Sequence, residues 1–367
     1  MGQVAGAVVV GGGVVGASTL YHLAAAGCPG AVLVERDSLA SGSTSAAAGG
    51  FRAQFSDELN IRIALRAIER FARFAEEFDT EIDFRQSGYL FLLREADVPA
   101  FRDAVALQRA LGVPARLIGV DEALAIVPGT SPDGLAAATW CPIDGQATPE
   151  SVVQGYVRAA RRLGARTVTG CAAREVLVRD GRVRGVVTDT GTIEAPLVFC
   201  CAGVWSPELA RTAGVPLPVT PQRRYVYQVA GRGSLPRSIP LTIDFATGFY
   251  FHGEGTGLLL GGVWATPEEL APVALARLPI VADLGITNAW SGFYEMSPDH
   301  NAIVGAAAEP AGFYYATGFS GHGFQQAPVV GEYLADLALG RPPALDLSAF
   351  SVDRFAGSQL RPEANIV

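Results

Sequence analysis

Apolar residues recur along this chain with two rhythms. Short unbroken runs at 8–10, 31–34 and 197–201 have the pattern of strands buried on both faces. Residues 17–26 carry helical spacing, and Gly27 ends that helix. Leu59, Ile63, Leu65, Ile68, Phe71, Phe74 and Phe78 predict a longer helix, capped at its start by Ser56-Asp57-Glu58. Thr148-Pro149-Glu150 opens another helix, which ends at Gly164. The stretch 95–127 reads as helical, followed by turns at Pro128-Gly129 and Pro132-Asp133-Gly134. Strands are predicted at 87–93, 173–179, 183–188, 224–229, 240–243, 248–252, 258–263 and 312–317, with a hairpin turn at Asp180-Gly181. A last helix covers about 326–339, and residues 346–367 read as an irregular tail.

The first apolar run leads directly into chemistry. Gly11, Gly13 and Gly16 follow it with the spacing G-x-G-x-x-G, and Val14 and Val15 complete the turn. Glu35 ends the second run, 19 residues after Gly16. Strand, turn, helix, strand and terminal acid together form a dinucleotide-binding unit. Gly11 allows the tight turn, Gly13 lets a pyrophosphate approach the backbone, and Gly16 lets the helix sit close on the sheet. The helix start offers unpaired N–H groups and a positive dipole end to the phosphates. Glu35 would accept hydrogen bonds from a ribose. The motif alone leaves FAD and NAD open. The small, polar stretch Ser41–Gly50 then lets a flat ligand lie against backbone.

Composition narrows the picture. The 367 residues are 49% hydrophobic and 17% charged, which is globular and long enough for two domains. The net charge of −8 argues against a nucleic-acid partner. No apolar run reaches bilayer length, and a chain that enters its first strand without a basic leader is expected in the cytoplasm. The five cysteines form no C-x-x-C pair, so neither a metal site nor a disulfide framework is expected. All 28 basic residues are arginine. A Schiff-base lysine, a phosphate-loop lysine and a lysine general base are therefore excluded.

Further motifs carry a family resemblance: Gly42-Ser43-Thr44, Cys201-Ala202-Gly203 with Trp205, Met296-Ser297-Pro298-Asp299-His300, and Gly318-Phe319-Ser320-Gly321-His322-Gly323-Phe324. With Gly11–Gly16 and Glu35, they make the chain resemble the FAD-dependent amine and amino-acid oxidoreductases of the D-amino-acid oxidase superfamily. The branch is that of sarcosine oxidase, glycine oxidase and the proline dehydrogenase β subunit. The resemblance implies an α/β chain with two parts. One is a discontinuous, Rossmann-like parallel-sheet FAD domain formed by 1–85, 145–215 and 295–345. The other is an α+β substrate domain with a mostly antiparallel sheet, formed by 86–144 and 216–294, and the tail follows.

The resemblance also implies site residues. Glu35 and Arg36 would meet the adenosine and Val176 the adenine. Ser43, Thr44, Gly49 and Gly50 would line the pyrophosphate and flavin, with Ala202, Gly203 and Trp205 nearby. Gly318, Ser320, Gly321, His322, Gly323, Phe324 and Gln325 would reach the flavin. A helix starting near Gly323 would aim N–H groups at the flavin pyrimidine, where negative charge collects on reduction.

Arg52 would bind a substrate carboxylate in a bidentate grip. Tyr250 and Tyr294 would line that pocket, and His322 would be the active-site histidine. Gln325 stands where monomeric sarcosine oxidase has a second carboxylate-binding lysine. Leu259 stands where that enzyme has its oxygen-activating lysine, which implies a pocket without a fixed charge there. Gly292 and Ala46 occupy the family's covalent attachment positions, so non-covalent FAD is expected. The implied reaction is oxidation of the C–N bond of a small amino acid or secondary amine. Molecular oxygen or another electron acceptor would complete it. The alternatives are a dehydrogenase serving a quinone or partner protein on a D-amino acid or 2-hydroxy acid, and a non-catalytic flavin-binding assembly factor.

Overall fold

The computed structural model describes residues 3–231, 235, 236, 238–357, 360 and 362–366. The buried apolar runs assemble first into a six-stranded sheet. Its order is Ile303–Ala306, Phe313–Thr317, Val198–Cys200, Val8–Val10, Val32–Val34, Arg166–Val168. Every neighbouring pair is parallel except the first. The switch in chain direction lies beside Val8–Val10, because the chain returns from far downstream to place Val198–Cys200 against it. In parallel sheets of this kind, ligands bind at that switch, outside the carboxyl ends of the strands.

The Val14–Ala25 helix leaves the switch point, and the Gly323–Ala338 helix packs against it. Gly331 makes the contact possible: a Cβ there would lie 2.2 Å from Ser18 Oγ and 2.7 Å from the Thr19 amide nitrogen. Neither N-cap residue, Gly13 or His322, caps its helix with its own side chain.

An eight-stranded sheet faces this unit. Its order is Ile286–Met296, Thr220–Val229, Gly257–Gly262, Phe249–Glu254, Leu241–Asp244, Tyr89–Leu93, Ala137–Cys141, Arg116–Ile118. Leu241–Asp244 and Tyr89–Leu93 run parallel, and all other neighbours are antiparallel. Alternation sorts its faces. Tyr227, Val229, Phe249, Phe251, Leu258 and Leu260 pack into one core with Leu270, Ala274 and Leu278. Arg224, Val226 and Tyr250 belong to the opposite face. A four-stranded sheet (Gln3–Val4, Gly191–Glu194, Arg182–Thr188, Ala173–Arg179) and a two-stranded pair, Gly50–Phe51 with Gly145–Gln146, complete the fold. No helix among the described residues is long and apolar enough to cross a membrane.

Three expectations change here. The longer helix expected from Leu59 to Phe78 breaks at Arg73 into Glu58–Ala72 and Phe74–Phe78. The stretch read as one helical region, 95–127, is a helix at Val98–Ala110, the edge strand Arg116–Ile118 and a short helix at Val120–Ile126. Gly112, with φ of +89°, ends the first helix, and Pro114 bars its continuation. The C-terminal tail forms two 3-10 turns, Ser348–Phe350 and Val352–Ala356, and then buries Glu363 and Asn365.

The helix crossing yields a test. Gly331→Ala puts a methyl group onto Ser18 backbone, an overpacking that costs about 1–3 kcal/mol. Urea unfolding of the variant should show that loss, together with weaker flavin retention, because both helix starts move. Unchanged stability and flavin content would mean that the crossing tolerates a wider spacing.

Candidate active site

One long groove runs between the six-stranded sheet and the free face of the eight-stranded sheet. Its lining includes Gly11, Gly13, Val14 and Val15 from the first turn, and Ser43, Thr44, Gly49 and Gly50 from the small-residue stretch. Ala202, Gly203, Trp205, Ser320, Gly321, His322, Gly323, Phe324 and Gln325 line it as well. Local geometry explains the turn. Gly11 has φ of +114°, and a Cβ there would lie 2.3 Å from the Cys201 carbonyl oxygen. Gly16 does not line the groove. It presses against the turn, where a Cβ would lie 2.0 Å from the Gly11 carbonyl oxygen, so it fixes how closely helix and sheet approach.

Polar contacts tie the turn down. Gly12 N–H donates to Glu35 Oε2 at 2.6 Å, and Asp37 N–H donates to Glu35 Oε1 at 2.9 Å. Val14 N–H donates to Thr44 Oγ1 at 3.1 Å. The Arg36 guanidinium stacks on the Trp205 ring at 3.7 Å, and both line the groove. Ser43 Oγ donates to the Phe293 carbonyl at 2.8 Å, which fastens the flexible stretch to the long strand.

Besides Gly16, two further expected positions fall elsewhere. Val176 is buried in the core, and its N–H donates to Thr212 Oγ1; Ala172, Ala173 and Arg174 line the groove instead. Gly318 lies behind the lining. Its φ is +68°, and a Cβ there would meet Ile303 Cγ1 at 3.0 Å, so it shapes the turn and does not face the groove.

The groove lining includes buried Arg52, Tyr89, Tyr250, His322 and Gln325, with half-buried Tyr294 beside them. Arg52 lies over the Phe55 ring at 4.1 Å. Its backbone N–H donates to Gln325 Oε1 at 2.6 Å. Its Nη1 donates to the Gln54 carbonyl, and its Nη2 contacts both the Asn365 carbonyl and His322 Nε2. Both Nη2 protons are therefore engaged, and the two-pronged carboxylate grip expected of Arg52 is not free in this arrangement. Asp144 sits close behind: it accepts from Ala53 N–H at 2.8 Å and Gln54 Nε2 at 3.1 Å. Burial raises Asp144 to about 6, opposed by the hydrogen bonds from Ala53 N–H, Gln54 and Cys141 and, least, by the Arg52 charge.

The tail buttresses this wall from behind through the Asn365 carbonyl on Arg52, a role the sequence did not suggest. Glu363, fully buried, accepts from Ser56 N–H, Ser56 Oγ, Asp57 N–H, Asn60 Nδ2 and Asn365 N–H. That carboxylate sits at the start of the Glu58–Ala72 helix, where the dipole favours an anion, and it holds Asn365 against Arg52.

Electrostatics sets the protonation states. Burial pushes His322 well below its usual value, and Arg52 and His300 add to the effect. His322 is therefore a neutral imidazole near pH 7. Burial raises the Tyr250 and Tyr294 phenols, so both are protonated, and Arg224 opposes the rise in each. Arg224 was not among the expected site residues. It lines the groove opposite Gly292, so the pocket does not lack a second cation even though Leu259 is buried outside the lining. Glu295, also in the lining, is raised by burial to about 7, opposed by the Thr317 hydroxyl 2.7 Å away.

Comparison with known proteins fits this geometry. Residues 7–337 match the family described as FAD dependent oxidoreductase. This chain belongs to that family. Among relatives, it is 32% identical to FAD-dependent oxidoreductase domain-containing protein 1 of Xenopus laevis, over 98% of this chain and 84% of that one. It is 29% identical to the mitochondrial sarcosine dehydrogenase of Mus musculus, over 96% of this chain but only 41% of that protein's length. The solved structure of L-proline dehydrogenase from P. horikoshii superposes with a TM-score of 0.91 at 30% identity, covering 98% of this chain and all of the other.

The cofactor of this oxidoreductase is FAD. The groove fits it: two helix starts, neither capped by its own N-cap side chain, open on one cleft, beside a turn that admits no Cβ at Gly11. Gly13, Val14, Val15 and Thr44 would hold the pyrophosphate, Arg36 and Trp205 the adenosine end, and Gly321 to Gln325 the flavin.

Glu295 gives a pH test. The folded protein holds its proton up to about pH 7, whereas an ordinary glutamate releases it near 4.5. Stability from this group is full below about 4.5 and is lost as pH rises through 7. Glu295→Gln should therefore gain stability relative to the wild type between pH 5 and 8, by about 2–3 kcal/mol at most. Asp144 titrates in both proteins and cancels. A difference that stays constant across that range in urea titrations would refute the buried-acid assignment.

Proposed function

We propose that this chain oxidises the C–N bond of a small amino acid or N-alkyl amino acid to an imine, which water then hydrolyses. One observation carries the reading: the groove that fits FAD is lined by buried arginine and tyrosine side chains and a neutral histidine. Such a pocket suits a small zwitterion whose anionic end needs a cation and whose amine must be neutral. The relatives named for sarcosine and L-proline support the substrate class.

Bound FAD supplies an acceptor for two electrons. The protein's part is placement. Tyr250 and Tyr294 wall the pocket and exclude water. Neutral His322, held against Arg52, is available to the substrate amine as a hydrogen-bond partner without adding a competing charge. Gln325 holds the Arg52 backbone and thereby the floor of the pocket. Oxygen is the acceptor in this reading and leaves as hydrogen peroxide. The flavin linkage is non-covalent: Gly292 and Ala46 offer no nucleophile, and a Cβ at 292 would lie 2.5 Å from the Ala46 Cβ.

Anaerobic mixing of the holoenzyme with N-methyl, cyclic and D- or L-amino acids tests the proposal. At least one should bleach the flavin, and admitted air should restore the colour and yield peroxide. Reduction that only an artificial dye reverses would replace the oxidase by a dehydrogenase. No bleaching by any amino acid would remove the catalytic reading. Acid precipitation should release the yellow colour into the supernatant; colour retained in the pellet would show a covalent bond.

A further inference from the structure

The pocket contains two arginines in different electrostatic situations. Arg52 has its Nη2 spent on Asn365 and His322 and has Asp144 close behind it. Arg224 has neither kind of support. Its Nη1 is buried without a hydrogen-bond partner, and the residue makes no ion pair among the described residues. Its guanidinium lies 4.8 Å over the Tyr294 ring, and its charge is felt by Tyr250. A buried guanidinium proton with no acceptor is costly, and such groups in native proteins call for a partner.

The sheet places it in the groove lining beside Tyr250 and Tyr294. Arg224 pairs with Gly292, and the next residue on its face, Val226, pairs with Gly261. Ala46 fills the space over Gly292 and the Tyr250 ring the space over Gly261, and neither gives the arginine Nη1 an acceptor. We infer that Arg224, not Arg52, receives the substrate's carboxylate, with Arg52 acting as a positioning residue that fixes His322 and the C-terminal tail. The inference rests on the amino-acid reading above and deepens it: the anionic end of the substrate lies toward the Thr220–Val229 strand, against the Tyr294 ring.

The test uses the oxidised holoenzyme and two probes of nearly equal shape that it cannot oxidise: 2-furoate and the neutral 2-furamide. Dissociation constants come from the change in flavin absorption, with titration calorimetry as the second measurement. The wild type should prefer 2-furoate. Arg224→Met should weaken 2-furoate by about 10- to 100-fold and leave 2-furamide within about twofold, the size of a lost charge-assisted hydrogen bond. Arg224→Lys should recover part of the loss, which separates charge from folding. Arg52→Met should affect both probes alike. A charge-selective loss in Arg52→Met, or none in Arg224→Met, overturns the assignment. If an amino acid bleaches the flavin while Arg224→Met still binds 2-furoate normally, only this inference falls. If Arg224→Met shows the selective loss and no amino acid bleaches the flavin, the anion site stands and the amino-acid reading falls.

Discussion

The groove depends on two helices crossing closely enough to begin at the same place. Gly331 against Ser18 sets that distance, and each helix then delivers its positive end to one cleft, with Thr44 Oγ1 on the Val14 N–H of the first. Dipole ends act over about a turn of helix, so a small spread would weaken the field at a bound anion. The glycine turn alone could hold one phosphate. The second helix start makes the same cleft suitable for a flavin that gains negative charge on reduction. The parallel sheet matters here because its switch point, beside Val8–Val10, is where both helices can start together.

Charge is distributed unevenly along this cleft. The chain has no lysine, so every fixed side-chain cation is a planar guanidinium. Arg36 is stacked on Trp205, Arg52 is tethered and has Asp144 behind it, and Arg224 stands over Tyr294. A tethered guanidinium with a carboxylate behind it has little left to offer a ligand. One over an aromatic face, with a bare Nη1, keeps most of its charge for whatever enters. The neutral state of His322 follows from the same arrangement, since Arg52 and burial both oppose its protonation.

Much of this was legible locally. The turn at Gly11 to Gly16, the acid at Glu35 and the cap at Asp57 are short-range patterns, and each formed where the spacing required. Arg224 was also within reach. Tyr225, Tyr227 and Val229 alternate toward a core, which turns Arg224 to the other face, and only the register that sets it opposite Gly292 was missing. Register is a long-range property of paired strands, and it does not appear in one strand's sequence. Val176 shows the same limit: the Thr212 hydroxyl from a later helix takes its N–H, and the preceding residues reach the groove instead. The tail had no periodic signal at all. Glu363 is placed by donors from residues 56, 57 and 60, about three hundred positions upstream.

The protonation states constrain how any substrate can react here. The Tyr250 and Tyr294 phenols are raised by burial, and His322 is held against Arg52. Glu295, at about 7, is the group in the lining closest to a working general base, but the Thr317 hydroxyl beside it also contacts the Gly203 carbonyl, toward the cofactor turn. A mechanism that began by removing a carbon-bound proton would need a strong base over the substrate, and the tyrosines, neutral histidine and arginines around the pocket do not provide one. Under the amino-acid reading, the amine must therefore arrive neutral or lose its proton on entry, a step favoured by the two cations that oppose an ammonium group. Bound FAD would supply the two-electron acceptor, and the protein's contribution is orientation and exclusion of water.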